Sequence, residues 1–162
     1  MGESLGVQYA YLWQELVSLH HKWDEYVELF GTKPSRIELL NKAASNFFGY
    51  LQHALWADIL IHLACLTDPP KSMGKANLTL RNLPLLIQDE ELKARVERLV
   101  EIVQEKIEFC RDWRNRYLAH RDLSLAIEDE TARPLQAASR ENVKEALSTM
   151  DDILNSVSIH YL

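Results

Sequence analysis

Apolar residues recur at intervals of three and four along almost the whole chain, and this spacing is what most limits its fold. Such spacing places apolar side chains on one face of an α-helix. The apolar stretches are bounded by residues that stop or start helices, among them Gly31, Pro34 and the Asp68-Pro69-Pro70 sequence. No stretch alternates polar and apolar residues as a half-buried strand does. The sequence therefore predicts an all-α fold.

Four of these stretches are long and predict four long helices, with one short helix between the second and the third. Their bounds follow from prolines, glycines and capping residues such as Ser139. The predicted helices cover residues up to 30, then 34–66, 80–87, 89–120 and 140–157. Residues 68–79 and 121–138 are expected to be irregular. We therefore expect an antiparallel helical bundle that forms one domain over residues 1–162.

Composition and charge exclude several classes of protein. No run of eighteen apolar residues exists, and the start of the chain does not resemble a signal peptide. We therefore expect a cytoplasmic protein with no membrane contact. The 162-residue chain has a net charge of −6, which argues against a protein that coats nucleic acid through many distributed cations. Any contact with RNA must be local.

The two cysteines, Cys65 and Cys110, lie in apolar helical stretches without Cys-x-x-Cys spacing. We expect both to be reduced core residues. The chain also lacks the carboxylate cluster that a two-metal nuclease would need. The sequence therefore predicts no bound metal and no cofactor.

One short segment is strongly cationic although the chain is acidic. Residues 111–121 hold four arginines and one histidine against a single acid. Arg114 and Asn115 precede His120 by a few residues, so a fixed cation, an amide and a titratable imidazole lie close together in the sequence. A site that handles a phosphodiester could use these three groups.

Arg114 is expected to point inward. On a continuous third helix it would lie only about 40° from Cys110, within the apolar stripe. A guanidinium there must meet a carboxylate or line a cleft, because an unpaired buried charge is costly. The alternative is that Arg114 extends to solvent and that His120 is a surface residue.

Asp58 is a candidate partner for this arginine. It continues the apolar stripe of the second helix, and a carboxylate in such surroundings usually has a cation nearby. We therefore hypothesise that Asp58 orients Arg114 or Arg111, the alternative being that Asp58 faces water. His62 follows at a spacing that suits a metal pair, but no third ligand is evident, so a satisfied core histidine is the better interpretation.

The segment Arg114-Asn115-Arg-Tyr-Leu-Ala-His120 resembles the Arg-x(4 to 6)-His motif of the HEPN superfamily, including the Asn that often follows the arginine. Leu66-Thr-Asp-Pro-Pro70, Asn77-Leu-Thr-Leu80 and Tyr117-Leu-Ala-His-Arg-Asp122 extend this likeness to the branch named for AbiU-type abortive-infection proteins. The resemblance covers roughly residues 5–160.

This resemblance implies a homodimer in which two motifs face one cleft and cut single-stranded RNA without a metal, as a toxin or a phage-defence protein. The 2′-hydroxyl of the RNA would attack the phosphorus. His120 would transfer protons, Arg114 would stabilise the charged oxygens and Asn115 would position the phosphate or the histidine. Flanking phosphates would be held by Arg111, Arg116 and Arg121.

The residues after His120 bear on partners and on orientation. HEPN toxins that pair with a nucleotidyltransferase antitoxin commonly show His-x-Tyr, whereas this chain has His120-Arg121-Asp122. That departure argues against such a partner. Asp122 is expected to orient the imidazole of His120 or, as the simpler interpretation, to act as a turn residue.

Two other hypotheses stay open. A non-catalytic HEPN module could use the same cleft to bind RNA, a nucleotide or a protein partner. A plain dimerisation module could use Arg114 and Asp58 only to hold a core together. Trp113 and Tyr117 flank Arg114 and would suit a two-fold interface.

Overall fold

A computed structural model describes residues 1–161, and these residues are helical almost throughout. The all-α prediction is confirmed. The four long segments and the short one appear in the expected order, although the third long segment is divided. The helices are α1 (Glu3–Phe30), α2 (Pro34–Cys65), α3 (Leu83–Leu86), α4 (Glu90–Lys106), α5 (Glu108–Trp113), α6 (Leu123–Ala126) and α7 (Arg140–Tyr161).

Three smaller elements complete the described fold. A 3-10 turn at Leu80–Asn82 precedes α3, and a π-helical turn at Arg114–Leu118 follows α5. Two-residue strands β1 (Lys71–Ser72) and β2 (Lys75–Ala76) form an antiparallel hairpin in a region predicted to be irregular. None of the described helices is both long and apolar enough to cross a bilayer.

The predicted helix starts have the expected caps. The hydroxyl of Ser139 accepts a hydrogen bond from the backbone N–H of Asn142 at 3.1 Å, and the side chain of Asn142 accepts one from the backbone N–H of Ser139. The carboxylate of Asp89 likewise accepts from the N–H of Leu92 at 2.8 Å. These contacts satisfy backbone donors that a helix leaves unpaired in its first turn.

The core lies where α1, α4, α7 and the second half of α2 meet. Helices α4 and α7 pack along each other, and their facing side chains are fully buried, as Val103 and Met150 show. Burying a side chain of this size stabilises the fold by roughly 1.5–3 kcal/mol relative to leaving it in water. Apolar packing therefore fixes the frame that carries the site.

The two halves of α2 differ in burial. Ala44 has non-helical backbone angles, φ −165° and ψ 74°, which divide the helix. The buried residues of α2 all follow this point, beginning with Ile59. Leu39, which precedes Ala44, and Phe47 and Tyr50, which follow it, are 65%, 62% and 78% exposed. This part of α2 therefore carries large apolar side chains that are not covered within one chain.

The prediction of one continuous third helix is wrong. Ile107, with φ −100° and ψ 10°, separates α4 from α5. The carbonyl of Gln104 lies opposite the guanidinium of Arg111, whose Nη1 donates to it at 3.5 Å. Periodicity does not reveal this break, because Val103 and Cys110 remain fully buried on either side of it.

Candidate active site at a π-helical turn

The cationic segment passes through a wide helical turn. The N–H of Ala119 donates to the carbonyl of Arg114 at 2.9 Å, which is the five-residue hydrogen bond of a π-helix. The N–H of Asp122 then donates to the carbonyl of Arg116 at 3.0 Å and closes the segment. Single π-turns are rare and frequently occur at functional sites.

Arg114 meets a carboxylate, as its inward position requires. Its Nη1 donates to both carboxylate oxygens of Asp68, at 2.9 Å and 3.0 Å, and its Nε donates to the side-chain oxygen of Asn115 at 3.3 Å. The arginine side chain is 23% exposed. Within residues 1–161, its Nη2 makes no hydrogen bond. This nitrogen can therefore meet an incoming phosphate oxygen.

Two of the sequence segments that carry the HEPN resemblance hold Asp68 in place. The hydroxyl of Thr79 donates to the carbonyl of Asp68 at 2.8 Å and to that of Leu66 at 3.0 Å. The N–H of Leu80 also donates to the Leu66 carbonyl. The end of α2 is thus fixed to the turn before α3, and the carboxylate of Asp68 faces Arg114.

Asp68 is a site residue that we did not predict. We treated the Asp68-Pro69-Pro70 sequence only as the end of a helix. A signal was present, however, because an acid near the C-terminus of a helix is unfavourable unless a cation lies close by. That reasoning would have pointed to an arginine partner without saying which one.

His120 and Asn115 lie at the surface. Both are exposed, and the imidazole of His120 makes no hydrogen bond or ion pair within the described residues 1–161. Arg121 is exposed as well, and its guanidinium lies over the ring of Tyr117, 4.4 Å from the centroid. An imidazole and two guanidinium groups are therefore accessible around this turn.

Arg111 is bound by the protein itself. Its Nη2 donates to the backbone carbonyl of Thr67 at 2.9 Å, and its Nη1 lies 3.3 Å from the carboxylate of Glu108. Arg111 thus joins the end of α2 to the break between α4 and α5. This differs from the expectation that it holds an RNA phosphate, since both of its terminal nitrogens already have acceptors.

Arg116 is also bound internally rather than open to a phosphate. It donates to the carboxylates of Asp122 at 3.1 Å and Asp112 at 3.3 Å, and to the carbonyl of Arg133 at 2.5 Å. The hydrogen bond to Asp122, followed by that to Asp112, raises the pKa of Arg116. Arg116 therefore ties the irregular segment after the turn to α5.

Asp122 acts as the turn residue of the simpler interpretation. Its carboxylate accepts from the N–H of Leu125 at 3.3 Å, which caps α6, and from Arg116. The Arg116 contact, and then the Leu125 contact, lower the pKa of Asp122. No contact with His120 accompanies them in residues 1–161, so the structure does not show Asp122 orienting the imidazole.

Asp112 is the buried centre of this charged network. Its carboxylate accepts from Arg133 at 2.8 Å, from the backbone N–H of Gln136 at 2.8 Å and from Arg116. Burial alone would raise the pKa of Asp112. The hydrogen bond from Gln136 and those from the two arginines outweigh burial, so the pKa lies below its ordinary value. The predicted site did not include this residue.

Asp58 does not contact Arg114 or Arg111, and that expectation is wrong. Its carboxylate is 52% exposed and pairs with Lys22 of α1 at 2.7 Å. Helix α2 is apolar on several sides, and the side that carries Asp58 faces α1 rather than α5. His62 lies in the same group, with Nε2 in close contact with Glu15 at 2.9 Å but without hydrogen-bond geometry. Burial, then Lys22, lower the pKa of His62.

The aromatic residues beside Arg114 pack within their own chain. The indole N–H of Trp113 donates to the carbonyl of Gln136 at 2.8 Å, and its ring meets that of Tyr117 edge to face with centroids 5.6 Å apart. The expectation that the pair forms a two-fold interface stays a prediction. The cysteines differ from each other: Cys110 is buried, whereas Cys65 is exposed and not a core residue.

No group of three or more His, Cys, Asp or Glu side chains converges on a possible metal position in residues 1–161. A family model described as AbiU2, of the HEPN_AbiU2 family, matches residues 2–162. Comparison with curated proteins gave no match, and comparison with solved structures gave none either. Because the family model spans nearly the whole sequence, including the Arg114 to His120 segment, the chain belongs to the AbiU2 family of HEPN domains.

Proposed function

We propose that this chain is a metal-independent endoribonuclease of the abortive-infection type that cuts single-stranded RNA. The observation that carries the proposal is that the π-turn presents a guanidinium and an imidazole that are accessible to a substrate. Arg114 is held by Asp68 and Asn115 with one terminal nitrogen open, and His120 is exposed without a partner in residues 1–161. Membership of a HEPN family associated with abortive infection supports the same reading.

The proposed reaction needs only proton transfer and charge stabilisation. The 2′-oxygen of one nucleotide attacks the adjacent phosphorus and loses its proton, while the 5′-oxygen of the next nucleotide leaves and gains one. The products are a 2′,3′-cyclic phosphate and a 5′-hydroxyl. His120 transfers the protons, and Arg114 stabilises the non-bridging oxygens as negative charge builds up on them.

We further propose that the active unit is a homodimer. The reaction needs both a general base and a general acid, and each chain supplies one imidazole at its π-turn. The exposed side chains of Leu39, Phe47 and Tyr50 provide an apolar surface of the kind that a second copy would cover. This surface, rather than the Trp113 and Tyr117 pair, supports the interface. Sedimentation at micromolar concentration should give twice the mass of the chain.

Cleavage of a panel of single-stranded RNAs in EDTA tests the proposal. Wild-type protein should cut, leave cyclic phosphate ends and spare DNA, which lacks the 2′-hydroxyl. His120→Ala should slow cleavage by roughly 10²–10⁴-fold, because a general acid or base contributes about that much. Arg114→Ala should lose cleavage while the protein stays folded.

Matched controls come from elsewhere on the surface. His21→Ala and Arg98→Ala remove an exposed imidazole and an exposed guanidinium away from the π-turn. Both variants should cut at the wild-type rate. Equal loss in the controls and the site variants would contradict the assignment of the site.

A non-catalytic RNA-binding module is the second candidate. One observation favours it: Asp68 offsets the charge of Arg114, and no described residue orients the imidazole of His120. Clean wild-type protein that binds RNA but never cuts any member of the panel would establish this candidate instead.

A further inference from the structure

An open cavity lies beside α2, facing α1 and the start of α7. Its volume is about 570 Å³, within the range of pockets that hold small organic groups. Three parts of the chain line it. Its lining includes Tyr26 of α1, Gly49, Gln52, His53 and Trp56 of α2, and Arg140 of α7.

Aromatic rings form one wall of this cavity. The rings of Tyr26 and Trp56 have centroids 5.3 Å apart and planes tilted by 36°. Trp56 is only partly buried, so part of its ring remains available to a ligand. A planar group can stack on such a surface, as unpaired nucleobases do on aromatic side chains.

The polar groups of the cavity suit the edge of a base and a nearby phosphate. The side chains of Gln52 and His53 are exposed and make no hydrogen bond within residues 1–161. A carboxamide has both donors and an acceptor, so Gln52 can pair with the edge of a base. Arg140 also lines the cavity, and its Nη1 donates to the carbonyl of Gly31 at 2.7 Å.

Gly49 lines the cavity at a helical position where glycine is unfavourable. A Cβ added there would have no atom within 4 Å, so space within this chain does not require glycine. Glycine costs a helix interior roughly 1 kcal/mol relative to alanine. A larger side chain can therefore be placed at this position to test the cavity.

His53 connects the cavity to the candidate active site. Its ring lies 6.2 Å from the ring of Tyr117, which belongs to the π-turn. Arg121 lies on Tyr117, and His120 directly precedes Arg121 in the chain. The cavity is therefore one side chain away from Tyr117 of the π-turn. The guanidinium of Arg114 lies roughly 15–20 Å further along α2, where it pairs with Asp68.

We infer that this cavity binds one unpaired base of an RNA strand that also reaches the π-turn, with further nucleotides between this base and the phosphate at Arg114. The inference rests on the proposed function, because it takes the strand at the π-turn to be RNA. The base stacks on Trp56 and pairs along its edge with Gln52. The cavity thereby selects the nucleotide at one fixed position away from the cleaved bond.

Filling the cavity tests this inference. Gly49→Leu adds a side chain that meets no protein atom at its Cβ and removes a helix-weakening glycine, so the variant should fold. The probe is a fluorescently labelled tetranucleotide with 2′-O-methyl riboses, which lack the attacking hydroxyl. We expect Gly49→Leu to weaken its binding roughly tenfold or more, the effect of losing a stacked base.

The matched control is Gly6→Leu, the same change at a helical glycine of α1 that does not line the cavity. It should bind the tetranucleotide as the wild type does. Gln52→Ala provides a second, milder variant. Gln52→Ala should change which base is preferred at one fixed position away from the cut, with little effect on melting temperature.

Several results would overturn the inference. Unchanged binding by Gly49→Leu with unchanged base preference would do so. The inference would also be overturned if Gly49→Leu sedimented as a monomer but still bound RNA, because the cavity would then receive a second copy of the chain. Binding of a free mononucleotide as tight as that of the tetranucleotide would make it a nucleotide site instead.

The outcomes separate this inference from the proposed function. If wild-type protein cuts RNA and Gly49→Leu cuts the same sites equally well, the cavity inference fails and the ribonuclease proposal stands. If wild-type protein never cuts RNA but binds the tetranucleotide and Gly49→Leu does not, the reverse holds.

Discussion

The contact between α4 and α7 and the segment from α5 to the start of α7 stabilise the fold in different ways. The first is apolar, with Val103, Met150 and Ile153 fully buried. The second depends on charges, with Asp112 at the centre of a network of arginines and backbone donors. A reactive surface needs exposed cations, which an apolar contact cannot provide. The molecule thus separates a frame held mainly by apolar packing from a candidate site that charge holds in shape.

The largest expected effect is on the apolar frame. Ile153→Ala removes a fully buried side chain from α7, and we expect a loss of about 2–5 kcal/mol in the free energy of unfolding. Urea melts measure this directly. The loss should be the same at low and high salt. A strongly salt-dependent loss would contradict the view that apolar packing stabilises this region.

The charged segment should respond to Asp112→Ala by opening locally. The change leaves the Gln136 N–H and the guanidinium of Arg133 without their acceptor. We expect a cost of roughly 1–3 kcal/mol. Hydrogen exchange should show faster exchange in residues 112–139, with α4 and α7 still protected. Equal loosening of all helices would mean that the two regions are one cooperative unit.

Low pH should loosen the charged segment while the contact between α4 and α7 stays intact, without any mutation. The pKa values of Asp112 and Asp122 are lowered in the folded protein, so their stabilising contribution is present above the unfolded pKa and is lost as pH falls through the folded pKa. We therefore expect residues 112–139 to loosen between roughly pH 5 and pH 2. Peptide-level hydrogen exchange at a series of pH values measures this, and simultaneous loss of α4 and α7 would contradict it.

The smallest expected effect is at Asp58. Its pair with Lys22 is half exposed, and such pairs contribute about 0–1 kcal/mol. Asp58→Ala should therefore change the melting midpoint very little. Its effect should also add to that of Arg114→Ala, since the two side chains share no contact. Non-additive effects of the two changes on the free energy of unfolding would instead support the contact between Asp58 and Arg114 that we first expected.

The sequence predicted most of the frame because apolar spacing and capping residues act locally. Ser139 and Asp89 begin their helices as expected. The break at Ile107 was not predictable in this way, because its flanking residues keep the apolar pattern. The backbone carbonyl of Gln104 there accepts a hydrogen bond from the side chain of Arg111, a contact that depends on the folded arrangement.

The site was predictable only in part. The sequence indicated that Arg114 needs a carboxylate, which follows from the cost of an unpaired inward charge. It did not identify Asp68, because that choice depends on how the end of α2 lies against α5. It also assigned Arg111 and Arg116 to phosphates, since the sequence does not show which cations the protein itself neutralises.

The proposed attack by the 2′-hydroxyl can be tested at a single atom. An RNA that is cut at one known position would be compared with the same RNA carrying one 2′-O-methyl group on the nucleotide whose hydroxyl attacks. The proposed mechanism predicts that cleavage at this position stops while affinity stays nearly the same, and that unmodified positions are still cut. Continued cleavage at the methylated position would contradict the mechanism, because no 2′-hydroxyl would be present to attack.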